Sequence, residues 1–184
     1  MRVLAAYASE HGATRAIAER IAGRLRDKGL GADVRDVDLG PTTDTYDAAV
    51  LGSAVHGAQW LPQALQFLDR NQAWLTDKPL WLFSVGLHPG ARRQRGPFAR
   101  MIAGAAPPFP LEYARSHSVV EHRAFAGALT ADATRPGERL LLRLLGARFG
   151  DFRDWHAVDR WADGIASALL SRRPDRSDAN PNEE

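Results

Sequence analysis

Ala8-Ser9-Glu10-His11-Gly12-Ala13-Thr14 is a short polar joint between two patterned segments. Before it, Arg2-Val3-Leu4-Ala5-Ala6-Tyr7 is mostly apolar and ends at a turn, the pattern of a buried parallel strand. After it, Ile17, Ile21 and Leu25 recur every four residues, while Arg15, Glu19, Arg20 and Arg24 lie mostly off that row. That periodicity predicts an amphipathic helix over 14–25. A helix that starts here presents unpaired N–H groups and a partial positive charge to the joint. Ser9 and Thr14 add hydroxyls, and Gly12 lets backbone approach a ligand closely. These features make a cradle for a phosphate. The same residues also suit a plain helix cap by Ser9 or Thr14, and spacing alone leaves both readings open.

The rest of the chain repeats the alternation. Strands are expected at 32–37, an edge or near-edge strand, at 47–53, at 79–85, and around Arg123–Gly127 within 118–129. Gly29 and Gly31 end the first helix. A loop over 54–60 leads to a helix that starts near Leu61-Pro62 and turns Leu65, Phe67 and Leu68 inward. A loop rich in Gly, Pro and Arg spans 86–96, and a short helix over 97–106 is broken by Pro107-Pro108. The last helix spans about 155–170, with Val158, Trp161, Ile165 and Leu169 inward. Strands alternating with helices predict a doubly wound α/β domain with a parallel sheet over 1–171. Residues 172–184 read as a disordered tail.

Bulk properties narrow the class. The 184 residues fit one domain, with 45% hydrophobic and 25% charged residues. The absence of cysteine excludes disulfides, thiolate catalysis and zinc–cysteine sites. A net charge of +2 gives no general pull toward nucleic acid. The N-terminus does not read as a signal peptide and no apolar run is long enough for a membrane span, so a cytoplasmic protein is expected. No nucleophile or acid–base pair stands out as catalytic. His117 and His122, five apart, point to opposite faces if both lie on one strand, and no histidine pair has helix-face metal spacing, so no metal is expected. The third strand ends in Gly52-Ser53 rather than an acceptor Asp, which rules out a response regulator.

Ser9-Glu10-His11-Gly12-Ala13-Thr14 resembles the phosphate loop of flavodoxins: a hydroxyl residue, two variable positions, Gly, any residue, then Thr. The resemblance implies a five-stranded sheet in the order 2-1-3-4-5 with FMN at the switch point; that order is the flavodoxin pattern itself and comes with the resemblance. It further implies that Gly52-Ser53-Ala54-Val55-His56-Gly57 and Ser84-Val85-Gly86-Leu87-His88 enclose the flavin ring. FMN contacts are therefore expected at Ser9, Glu10, His11, Gly12, Ala13 and Thr14, at Ser53, Ala54, Val55, His56 and Gly57, and at Ser84, Val85, Gly86, Leu87 and His88. His56 stands where many relatives carry Tyr; Trp60 is the second ring candidate, although a Trp just before Leu61-Pro62 also suits a helix anchor.

From Phe125-Ala126-Gly127-Ala128-Leu129 through the insertion at about 130–152 to Asp154-Trp155, the chain is similar to the menaquinone-dependent, flavodoxin-like protoporphyrinogen oxidase branch. That branch implies an FMN-dependent enzyme that oxidises a reduced tetrapyrrole or similar donor and passes electrons to quinone. A flavodoxin-type electron carrier between protein partners and a flavin-free scaffold are the alternatives. His56, His88, Arg92, Arg93 and Arg95 fall on the presumed flavin side, where positive charge favours electron gain. Arg92, Arg93 and Arg95 also suit donor carboxylates, or form a solvated loop. In the insertion, Leu140, Leu141, Leu144 and Leu145 form an apolar stripe flanked by Arg139, Arg143 and Arg148. The stripe over 135–152 suits packing on the domain's own sheet edge, a homodimer contact, or a peripheral membrane contact that brings quinone within reach.

Overall fold

The computed structural model describes residues 1–39, 45–57, 59–86, 117–129, 137, 140, 144 and 149–172. Strand β1 (Arg2–Ala8) runs into helix α1 (Ala13–Asp27), followed by β2 (Gly31–Asp36) and a 3-10 turn at Val37–Leu39. Next come β3 (Ala48–His56), β4 (Gln59–Trp60), α2 (Pro62–Arg70), α3 (Gln72–Leu75) and β5 (Leu80–Gly86). The remaining elements are β6 (Val119–Ala126), β7 (Ala128–Leu129), β8 (Gly150–Asp151) and α4 (Trp155–Leu170).

The main sheet has the order β2-β1-β3-β5-β6, all parallel. Numbered among themselves these are the expected 2-1-3-4-5, with β2 at the edge. The expected loop over 54–60 is instead a tight hairpin. β3 continues to His56, Gly57 turns with φ 55°, and β4 pairs back through Val55–Trp60 and His56–Gln59. The short α3 was not expected. His117 lies before β6, so the opposite-face argument for His117 and His122 does not apply.

Each central strand is buried on both faces, which is why it reads as a continuous apolar run. On β1, Val3 and Ala5 join one core while Leu4 and Ala6 join the other. The first core is closed by Ile17, Ile21 and Leu25 of α1 and by Val158, Trp161, Ile165 and Leu169 of α4. The second is closed by Ala64, Phe67 and Leu68 of α2 and Leu75 of α3, with Leu65 partly buried. Three buried aliphatic side chains on α1 stabilise its docking by roughly 1.5–3 kcal/mol each. Ion pairs also link it to α4. Arg20 donates to both carboxylate oxygens of Asp159 at 2.6 and 2.7 Å, and Arg24 donates to Asp163 at 2.7 and 2.9 Å. The hydrogen bond from Arg20 holds the Asp159 carboxyl below its usual range.

The insertion is tied at its base. β7 and β8 pair antiparallel, Ala128 with Asp151 and Leu129 with Gly150. Inside it, Gly137, Leu140 and Leu144 are helical. Leu140 and Leu144 are 62% and 77% exposed, so these two do not pack on the domain's own sheet edge. Leu141, Leu145, the expected helix over 97–106 and the tail from 173 lie outside the described residues. Among the described residues no helix is long and apolar enough to cross a membrane.

Candidate functional site

In an open parallel sheet the ligand crevice lies beyond the carboxyl ends of the strands, where strand order reverses. Here the reversal falls between β1 and β3. Ala8 pairs with Ser53, so the segments that follow them leave the sheet side by side.

The first segment carries the phosphate-loop residues. Gly12 precedes α1 in the left-handed conformation, φ 79° and ψ −7°, which favours glycine. Ser9 Oγ accepts from Gly12 N–H at 3.0 Å and so shapes the loop. Among the described residues no side chain caps α1, so the helix-cap reading of Thr14 does not hold; Thr14 already lies inside the first turn. Its hydroxyl is buried, at 1% residue exposure, and Oγ1 has no hydrogen-bond partner among the described residues. A buried hydroxyl without a partner costs free energy unless a ligand supplies one. Beside it are the first N–H groups of α1, which have no intrahelical acceptor. An anion's oxygens are the natural complement to this set.

The second segment is the β3–β4 hairpin, and it presents Ala54, Val55, His56 and Gly57 to the cleft. Two serines expected at the ligand use their hydroxyls to brace the hairpin from below. Buried Ser53 accepts from Leu61 N–H at 3.0 Å and donates to Ala54 O at 2.8 Å. Buried Ser84 accepts from Trp60 Nε1–H at 2.8 Å. The Ser84 hydroxyl proton is then left for His122 Nε2, also at 2.8 Å. Burial pushes the His122 imidazole below its ordinary pKa, against an opposing pull from Glu121, and thus favours the neutral ring that accepts from Ser84. Trp60 is in the core, where it anchors the helix start; it does not line the cleft.

The cleft holds about 380 Å³ and is lined by Ser9, Glu10, His11, Ala13, Thr14, the hairpin, Val85, Gly86 and the run Gly127-Ala128-Leu129. That last run is a wall beyond the residues expected at the site. It follows β6, the next strand in the sheet, so the strand-end rule pointed to it. Gly127 N–H donates to Gly86 O at 2.9 Å, and Phe152 N–H donates to Gly127 O at 3.2 Å. The β7–β8 pairing therefore holds this wall against the end of β5. Leu87, His88, Arg92, Arg93 and Arg95 lie outside the described residues.

The mouth of the cleft is polar. Glu10 Oε2 is 3.2 Å from His56 Nδ1 and 3.9 Å from His11 Nε2, with all three side chains about half exposed. The expectation of no metal rested on spacing within single elements, whereas these donors come from two segments. Inside the mouth the lining is mainly small and aliphatic, which suits a flat apolar ring with a charged tail.

Residues 4–152 match the flavodoxin domain family model. The chain is 25% identical over 183 residues to protoporphyrinogen IX dehydrogenase [quinone] of Escherichia coli K12, a match that covers 90% of this chain and 95% of that protein. Among solved structures it is similar to a flavodoxin from the domain Archaea, with a TM-score of 0.59 and 18% identity over 92% of this chain and 99% of that one. It is also similar to oxidised Flavodoxin 1 from Bacillus cereus, with a TM-score of 0.54 and 16% identity over 95% of this chain and all of that one. FMN is the cofactor this domain implies, and the residues fit it: an unpartnered hydroxyl and a helix N-terminus for the phosphate, and an apolar slot between two strand ends for the ring. With the strand order, the switch-point cleft and a family match over most of its length, the chain belongs to the flavodoxin-domain family.

Proposed function

We propose that this chain is an FMN-dependent oxidoreductase that oxidises protoporphyrinogen or a similar reduced donor, with a quinone as acceptor. The observation that carries the redox reading is the unpartnered Thr14 hydroxyl at the base of a cleft walled by His56 and the Gly127–Leu129 run. The donor and acceptor classes rest on the full-length likeness to the quinone-linked dehydrogenase. FMN, when bound, supplies the electron transfer itself. The chain's part is to seat the phosphate on Ser9–Thr14, to hold the ring between the β3–β4 hairpin and the end of β5, and to leave one edge open to the donor. Over each oxidation step the donor gives up an electron pair with its protons, and the quinone takes up the same and becomes a quinol. We assign His56, which lines the cleft on the hairpin, to the ring in preference to Trp60, whose indole is committed to Ser84. Arg92, Arg93 and Arg95 are assigned to the donor's carboxylates.

Anaerobic turnover of protoporphyrinogen with a soluble menaquinone analogue tests this. Wild type is expected to turn over. The Arg92→Ala, Arg93→Ala, Arg95→Ala variant is expected to show KM raised about tenfold or more, with FMN binding unchanged, since charged hydrogen bonds contribute roughly 1.5–3 kcal/mol. Absence of turnover, with rapid electron exchange to a redox protein instead, would replace the enzyme reading by that of an electron carrier. Equal KM in wild type and variant would return the arginines to solvent.

A further inference from the structure

The redox reading assigns no joint role to the carboxylate and the two imidazoles that meet at the mouth of the cleft. Glu10 and His11 stand on the segment after β1, and His56 ends β3. Their donor atoms all lie within 4.8 Å of one another. Two of the separations are 3.2 and 3.9 Å, from Glu10 Oε2 to His56 Nδ1 and to His11 Nε2. A tetrahedral zinc-class ion has metal–nitrogen and metal–oxygen bonds of about 2.0–2.2 Å, which places its ligand atoms roughly 3.3–3.6 Å apart. The three groups are therefore near coordinating distance already, and small side-chain rotations complete the set.

The imidazole rings are 6.0 Å apart and tilted by 36°, so they are not stacked face to face. Exposed Glu–His contacts of this kind contribute little to stability on their own. Two imidazoles and one carboxylate form a ligand set that suits zinc, copper or nickel rather than magnesium or calcium. No cysteine anywhere in the chain competes for such an ion. The exposure of all three residues lets the ion enter without any opening and leaves its fourth position to water.

We propose that Glu10, His11 and His56 form a site for a divalent transition-metal ion of the zinc class that bridges the first and second segments of the cleft mouth. The site is compatible with a flavin ring beside His56. Imidazole lone pairs lie in the ring plane, so a coordinated His56 keeps its faces free. The ion also offsets the Glu10 carboxylate, which otherwise sits as a like charge beside the phosphate cradle.

Calorimetric titration of the full-length chain with zinc chloride, with and without FMN, tests the site directly. One ion per chain is expected, together with a raised unfolding temperature. Each of Glu10→Gln, His11→Ala and His56→Ala is expected to weaken zinc binding by about tenfold or more, as loss of one of three protein ligands should. His156→Ala, on α4, should leave it unchanged. Cobalt in place of zinc should show the intense visible absorption of a four-coordinate site. Zinc uptake that survives all three ligand variants, or magnesium binding of equal strength, would overturn the proposal, as would no binding at all. The flavin-free arm reports on the metal site alone and the FMN titration is read separately, so failure of one proposal does not mimic failure of the other.

Discussion

Replacing Thr14 by Val is expected to weaken FMN binding while leaving the flavin-free protein as stable as wild type, or more so. The two effects share one cause. Thr14 Oγ1 is buried and has no hydrogen-bond partner among the described residues, so in the flavin-free protein the hydroxyl is a cost that a methyl of the same shape removes. With FMN bound, the same hydroxyl is expected to donate to a phosphate oxygen. A hydrogen bond to a charged group contributes about 1.5–3 kcal/mol, so its loss should raise Kd roughly 10- to 100-fold. Thr14→Glu should go further and abolish binding, because it sets a carboxylate against the phosphate at the helix N-terminus. Flavin titration by fluorescence quenching, paired with urea unfolding of the flavin-free variants, reads both effects. Unchanged affinity in Thr14→Val and Thr14→Glu would remove the phosphate from this loop.

The second large effect concerns the core of the sheet that carries the site. Gly52 lies in β3 beneath the tip of the Phe83 ring. A Cβ at Gly52 would come 2.0 Å from Phe83 Cζ and 2.4 Å from both Cε atoms. Phe83 has no room to retreat. It makes edge contacts with Phe125 and Trp161 at centroid distances of 6.1 and 6.0 Å, and those two rings meet at 5.5 Å. Gly52→Ala should therefore destabilise the protein by about 2–3 kcal/mol, in the upper part of the range for overpacked cores. The variant should also loosen the Ser53 and Ser84 hydrogen bonds that brace the hairpin and anchor Trp60. Phe83→Leu shortens the ring tip, so the double variant Gly52→Ala, Phe83→Leu should lose less than the sum of the two single changes. Urea midpoints for the four proteins give that coupling. Strict additivity would show that the strand yields there.

The elements that read cleanly in the sequence are those whose side-chain pattern alone determines their burial. α4 begins and ends at Trp155 and Leu170 as expected, because Val158, Trp161, Ile165 and Leu169 form one row and Asp154 supplies a cap through Ala157 N–H at 3.0 Å. β1 and α1 were legible for the same reason. The hairpin was not. Ala54-Val55-His56 carries no strand alternation of its own; Ala54 is held by pairing with Val85, and pairing with Gln59–Trp60 extends β3 through Val55 and His56. Within the site, Ser9–Thr14 could be read as a candidate phosphate cradle because two hydroxyls and a glycine gather there at a strand–helix joint. The Gly127–Leu129 wall was signalled only by its place after a strand, because its contribution is shape rather than chemistry. Ser53 and Ser84 show the converse: both carry a hydroxyl, and both spend it on bracing the loops. The Glu10–His11–His56 group could not be read from spacing within any one element, since the Ala8–Ser53 register of two parallel strands is what brings residues 45 positions apart together.

The most direct measurement compares FMN with riboflavin on the same flavin-free protein. The two differ only in the phosphate, so the ratio of their dissociation constants isolates the cradle at Ser9–Thr14. FMN is expected to bind once per chain and at least about 100-fold more tightly than riboflavin, near 2.8 kcal/mol at about 1.4 kcal/mol per decade. Equal affinity for the two, or a stoichiometry that excludes one FMN per chain, would contradict the account at its base.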